Sequence, residues 1–181
     1  MTKRFLPVFL AVILILTAAG CSGKTAKEDP KTKITQKYSQ INGYSADVKV
    51  KAEQMDYAFT IKVEKPKKMV IEVTSPALLK GLVLTRMDDK QELKYHGISL
   101  PLSLIPMGEQ TGITQIGDLL LTLGELVSSL PVNSSSDGEL ILGDAEDDSK
   151  ISVKINVTNF IPKEITLGKT LLTIENFKFI T

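Results

Sequence analysis

Apolar and polar residues alternate with a period of two through Tyr44–Thr74. Tyr44, Ala46, Val48, Val50 and Ala52 stand between Ser45, Asp47, Lys49, Lys51 and Glu53, and Tyr57, Phe59, Ile61 and Val63 stand between Ala58, Thr60, Lys62 and Glu64. Alternation of this kind predicts half-buried strands with one dry and one wet face. Gln54-Met55-Asp56 marks the first turn and Lys65-Pro66-Lys67 the second, because proline has no N–H to give to a ladder. Met69, Ile71 and Val73 continue the dry face until Ser75-Pro76 stops it. Beyond a helical turn or loop at Pro76–Gly81, Leu82–Met87 and Gln91–His96 predict a hairpin across Asp88-Asp89-Lys90. Four more strands are predicted at Glu139–Leu142, Ile151–Val157, Lys163–Leu167 and Leu171–Phe179. In the last of these, Leu172 and Ile174 share one parity and Phe177 and Phe179 the other. A bulge near Glu175-Asn176 returns both pairs to one face.

Two stretches carry helical spacing instead. Ile34, Tyr38 and Ile41 form one stripe of a short helix over Lys31–Ile41, with Asn42-Gly43 as its left-handed cap. Ile113, Ile116, Leu119, Leu120, Leu123, Leu126, Val127 and Leu130 recur at steps of three and four and predict one helix over Ile113–Leu130, ended by Pro131. Leu121 falls outside that stripe, and Gly117 and Gly124 each weaken the helix by about 1 kcal/mol, so packing on the sheet has to hold it. Ile98–Pro106 is apolar but holds two prolines, and reads as an extended segment lying over an apolar surface. Asn133–Gly138 reads as a polar loop.

A sheet with one greasy face must cover it. The expected fold class is therefore α+β: a curved, mostly antiparallel half-barrel sheet of about nine strands, covered on its apolar face by short helices and a proline-containing lid segment.

The N-terminus adds an address. Phe5–Leu16 is uncharged and apolar, follows Lys3-Arg4, and is too short for the ~20 residues that a membrane-spanning helix needs. It matches the apolar region of a secretory signal. Thr17-Ala18-Ala19-Gly20 then leads into Cys21, the only cysteine. This resembles the lipobox of bacterial lipoproteins, in which the leader is removed and the cysteine is acylated, for example with palmitate. A plain signal peptide cleaved at a small-residue site is the alternative. The expected organisation is residues 1–20 as leader, 21–30 as tether, and 31–181 as the folded domain. Ser22–Pro30 would reach about 30 Å when extended.

Composition narrows the partners. Loss of the leader removes Lys3 and Arg4 from 22 basic residues and none of 21 acidic ones, leaving a balance near −1. No single-sign field is expected, so nucleic acid is not an expected partner. His96 is the only histidine and tryptophan is absent. His96 with Ser99 or Asp88 could suggest hydrolysis, but without a nucleophile-elbow pattern a surface histidine is the better reading. The acidic run Gly143–Asp148 could attract calcium but lacks the full loop of an EF-hand, and reads as a solvated hairpin tip. Asn133-Ser134-Ser135 and Asn156-Val157-Thr158 match the glycosylation triplet and carry little weight in a bacterial chain. No cofactor, metal or catalytic residue is expected.

The order of motifs resembles a known family. An anchor cysteine and short helix precede Tyr44-Ser45-Ala46-Asp47-Val48. The turn Lys65–Lys68, then Ile71-Glu72-Val73-Thr74-Ser75-Pro76, a leucine-rich helix, and Ile161-Pro162-Lys163-Glu164-Ile165 follow. This resembles the lipoprotein-carrier superfamily of the LolA/LolB and LppX type, including small Gram-positive lipoproteins of GerS type, across residues 31–181. The resemblance implies a membrane-anchored extracytoplasmic lipoprotein that is no enzyme and holds an acyl-chain ligand or a lipoprotein in a half-barrel cavity. Alternatively, it implies a non-catalytic interaction protein that binds or regulates an envelope or spore-cortex enzyme. Ser22 after the cysteine would permit outer-membrane sorting in a cell with two membranes. The candidate lining is Val48, Val50, Tyr57, Phe59, Ile61, Ile71, Leu84, Leu119, Leu123, Val153, Ile155 and Phe177. It is core by default and becomes a ligand site only where the lid leaves space. The carriers' lid arginine has no assignable match here: Arg86 is the only candidate and sits on a predicted strand.

Overall fold

The computed structural model describes residues 29–53, 56–101, 112–144 and 150–181. The leader, Cys21, the tether as far as residue 28, Gln54-Met55, residues 102–106 of the apolar segment and residues 145–148 of the acidic run lie outside the described residues.

Helix α1 (Pro30–Gln40) starts one residue earlier than the periodicity predicts. Asp29 accepts a hydrogen bond from the Lys31 amide and Pro30 opens the first turn, where its missing N–H costs nothing. Ile34 and Tyr38 are buried as expected. The cap is not left-handed: Ile41 is extended, and Gly43 begins the first strand. Gly43 is needed there for closeness, since a Cβ would stand 2.0 Å from the Val63 carbonyl oxygen.

Among the described residues, eleven strands form one antiparallel sheet that is not closed into a barrel. They are β1 (Gly43–Lys51), β2 (Tyr57–Glu64), β3 (Lys68–Ser75), β4 (Val83–Met87), β5 (Lys90–Tyr95), β6 (Ile98–Pro101), β7 (Val132–Ser136), β8 (Glu139–Gly143), β9 (Ile151–Asn156), β10 (Pro162–Leu167) and β11 (Thr170–Ile180). The order across the sheet is β6-β5-β4-β3-β2-β1-β11-β10-β9-β8-β7. Two meanders thus meet where β1 pairs with β11, and a helical crossover joins their outer edges.

The two strands beyond the expected nine are the two edges. Ile98–Pro101 pairs with β5 as an edge strand, where Pro101 is tolerated, instead of lying across the apolar surface as expected. Val132–Ser136 pairs with β8 although every residue in it is exposed. An edge strand needs no dry face, so its sequence shows no alternation. The expected bulge is present: Ser45 pairs with Lys178 and Asp47 with Glu175, leaving one extra residue on β11. Asn176 there has φ +50° and donates to the Asp47 carboxylate at 2.6 Å. Leu172, Ile174 and Phe177 are all buried as a result.

The predicted single helix Ile113–Leu130 is two: α2 (Gly112–Leu121) and α3 (Leu123–Ser129). At the break, the Thr122 hydroxyl lies 3.0 Å from the Asp118 carbonyl oxygen and 3.3 Å from that of Leu119, competing with backbone donors. Ile116, Leu120, Leu123 and Val127 are buried against the sheet. At Gly117 a Cβ would meet Met69 Cε at 2.9 Å and Ile71 Cδ1 at 3.1 Å, so glycine lets α2 settle on β3. No helix among the described residues is long and apolar enough to cross a membrane.

Candidate functional site

The dry face of the sheet and its helical cover define the candidate site. Ten of the twelve proposed lining residues, Val48, Val50, Phe59, Ile61, Ile71, Leu84, Leu123, Val153, Ile155 and Phe177, fall in one buried cluster. Tyr57 and Leu119 are half-buried against it. The fold therefore brings the whole set together, as side chains packed on one another.

Open space adjoins this cluster at one rim. A groove of about 750 Å3 runs between α1, the Lys65-Pro66 turn and the α2–α3 break, lined by Thr35, Tyr38, Leu121, Thr122, Gly124 and Ser128 among others. Below it a crevice of about 30 Å3 reaches Ile41, Tyr44 and Val63 and shares Tyr38, Pro66, Leu121 and Gly124 with the groove. None of these residues belongs to the candidate lining. Their signal in the sequence is Leu121: a leucine off the buried stripe of an already apolar helix has to face something other than the sheet. The break at Thr122 and the small Gly124 make the opening; at Gly124 a Cβ would approach nothing closer than Tyr38 Cβ at 3.7 Å.

Polar groups hold the walls. Lys31 Nζ donates to the Leu130 carbonyl at 2.6 Å, joining the start of α1 to the end of α3. Lys65 Nζ donates to the Tyr38 carbonyl at 2.7 Å. Tyr38 donates to the Phe160 carbonyl at 3.2 Å, and Tyr44 to the Leu120 carbonyl at 2.5 Å. The Arg86 guanidinium on β4 pairs with Asp118 of α2, while its buried Nε has no partner among the described residues. Arg86 thus ties the cover to the sheet, through a partner on α2 that no sequence pattern indicates.

Burial raises the Tyr38 phenol above its ordinary value of 10.0, and raises Tyr44 as well, with a further contribution from Tyr38. A folded pKa above the unfolded one stabilises the fold fully below pH 10.0, and the contribution is lost as pH rises past it. The urea midpoint is therefore expected to fall steeply above about pH 10, and the Tyr38→Phe/Tyr44→Phe double variant to flatten that fall.

His96 does not meet Asp88, the partner that a hydrolytic reading would need. Asp88 and His96 flank opposite ends of β5, and His96 is exposed with its ring 4.1 Å from that of Tyr95. Among the described residues no group of three His, Cys, Asp or Glu side chains is placed to hold a metal.

The opposite, wet face is not flat. A trough of about 610 Å3 lies over β3, β2, β1 and β11, lined by Asp47, Thr60, Lys62, Lys68, Glu72 and Lys178 among others. Hydrogen bonds from Lys62, then from Lys68, hold the Glu64 carboxyl down at about 2.

No protein-family model and no curated protein matches the chain. Among solved structures it is similar to an uncharacterized conserved protein from Thermus thermophilus, at 12% identity over 87% of this chain and 89% of that one, with a TM-score of 0.54. It is also similar to a LolA superfamily protein from Nitrosomonas europaea, at 15% identity over 83% and 94%, TM-score 0.41. A chain of the complex between the CwlD amidase and the GerS lipoprotein from Clostridioides difficile matches at 22% identity over 78% and 85%, TM-score 0.36. At these identities the likeness is one of fold. The architecture is α+β, an antiparallel sheet with a helical cover, shared as a fold with the Thermus thermophilus protein.

Proposed function

We propose that the protein is an extracytoplasmic lipoprotein, anchored by acylated Cys21, that binds the acyl chain of a hydrophobic ligand under its helical cover. The observation that carries this reading is the groove between α1 and the broken α2–α3 helix, which deepens past Leu121 and Gly124 into a crevice reaching Tyr44 and Val63. Its volume of about 750 Å3 falls within the ~300–1,000 Å3 typical of small-molecule sites. In this reading an acyl chain enters at the groove, displaces Leu121, and lies against the interior set that includes Phe59, Ile61 and Ile71.

Native extraction followed by lipid mass spectrometry tests it. Acyl lipid is expected to copurify with the chain, and Gly124→Leu, which fills the groove, to lower the bound lipid about tenfold while thermal stability hardly changes. A chain that purifies free of lipid, or a variant that keeps its full lipid load, overturns the reading.

A second reading is a non-catalytic protein that binds or regulates an envelope enzyme. It is favoured by the polar trough over β3-β2-β1-β11, where the bulge at Asn176 interrupts the pairing of β1 with β11. A bulge re-aims side chains, and bulges recur next to active sites. Here a Lys62→Glu/Lys178→Glu variant should lose a partner that the wild-type chain captures from envelope extracts, and unchanged capture counts against the trough.

A further inference from the structure

We infer that the groove between α1 and α3 takes its acyl ligand by a zwitterionic head, with the ammonium lying between the two helices and the phosphate on Lys65. This rests on the acyl reading of that groove and adds what its mouth selects.

The mouth is made of two helix faces. On α3, Ser128 and Ser129 stand three and four residues beyond Glu125, and on α1 Thr35 and Ser39 stand four apart, so each helix turns one polar face into the opening. The two helices are held side by side where Lys31 Nζ donates to the Leu130 carbonyl.

The hydroxyls there have already given their protons to backbone. Ser39 donates to the Gln36 carbonyl at 2.8 Å, Ser128 to that of Gly124 at 2.8 Å, Ser129 to that of Leu126 at 3.0 Å and Thr122 to that of Asp118 at 3.0 Å. A hydroxyl has one proton and two lone pairs, so these four offer a ligand only acceptors. The Tyr38 phenol is committed in the same way to the Phe160 carbonyl. Phosphate and carboxylate oxygens gain nothing from fixed acceptors, because they have no proton to give. A primary ammonium has three.

The charges agree with this. Glu125 is the acidic side chain of the lining and Lys65 the basic one. Glu64, Glu139, Glu164 and Glu175 each pair with a lysine, whereas Glu125 has no ion partner among the described residues. Its carboxylate adds a full negative charge to the lone pairs of Ser128 and Ser129 on the same face. Lys65 Nζ gives one of its three protons to the Tyr38 carbonyl, which fixes it at the wall beside Pro66 with two protons left for an anion. A head with both signs satisfies the two walls at once. A purely anionic head leaves Glu125 and the acceptors facing negative charge.

The full-length lipoprotein in a non-ionic detergent is offered an equimolar mixture of lysophosphatidylethanolamine and lysophosphatidylglycerol with identical chains, and native mass spectrometry reads the bound ratio. The two heads share the phosphate and differ in the ammonium. Lysophosphatidylethanolamine is expected to load roughly tenfold over its competitor. Glu125→Gln should bring the ratio to within about twofold of one, and Ser128→Ala, which removes one acceptor, should lower it roughly threefold. Glu92→Gln, exposed on β5, is the control for overall charge and should leave the ratio unchanged. Equal loading by the wild-type chain, or a full preference that survives both groove variants, overturns the inference while acyl binding stands. A chain that takes up neither lipid overturns both.

Discussion

Gly43→Ala is expected to destabilise the protein by about 3 kcal/mol, near the upper end of what overpacking a well-filled site costs. The added methyl would stand 2.0 Å from the Val63 carbonyl oxygen and 2.9 Å from its carbon. Both are backbone atoms, so no side chain can swing aside. Nor can β1 retreat: at Gly43 it is paired to Glu64 of β2 on one side and to Ile180 of β11 on the other. The Asn42 amide is bonded to Ile180 and the Lys65 amide to the Asn42 carbonyl, closing the same corner. For a chain of this length that loss lowers the melting temperature by roughly 6–12 °C in a calorimetric scan. Gly112→Ala is the control, because nothing stands within 4 Å of its Cβ and its backbone is helical. A drop at Gly43 no larger than at Gly112 would refute the close approach.

Phe59→Ala is expected to cost about 3–5 kcal/mol, read as a fall in the urea midpoint with an unchanged slope. Phe59 is 1% exposed in the middle of β2, between Val48 on β1 and Val73 on β3, at the centre of the buried cluster. Removing the ring deletes its contacts and leaves a hole that neighbours bonded into the ladder cannot close. The result also bears on the ligand. A loss under about 1 kcal/mol would mean that Phe59 faces space that is already open, and the acyl chain would then have a preformed interior instead of one reached by displacing Leu121.

The parts of the fold legible in the sequence are those where burial imposes a period. The alternation in Tyr44–Glu64, the Ile34/Tyr38/Ile41 stripe and the parity switch in β11 each reflect one dry side, and the structure places them accordingly. The edges were not legible, because Val132–Ser136 and Ile98–Pro101 owe their strand geometry to the ladder of a neighbour and not to their own pattern. The helix break was not legible either: periodicity runs unbroken from Ile113 to Leu130, and the break falls at Thr122, whose hydroxyl bonds the carbonyls of its own helix. The groove depends on that break. Leu121 pointed to it, but Tyr38 and Pro66 reach it from elements distant in the chain.

By itself the sequence determined a one-sided antiparallel sheet, the segments available to cover it and a lone cysteine behind an apolar stretch, because hydrophobic period and small-residue motifs are local properties. Only the tertiary structure decided that β1 and β11 join two meanders, that Arg86 finds Asp118, and that a groove opens beside Gly124. Each of these is a meeting of residues far apart in the chain. Their positions follow from pairing register and helix placement, which no single segment encodes.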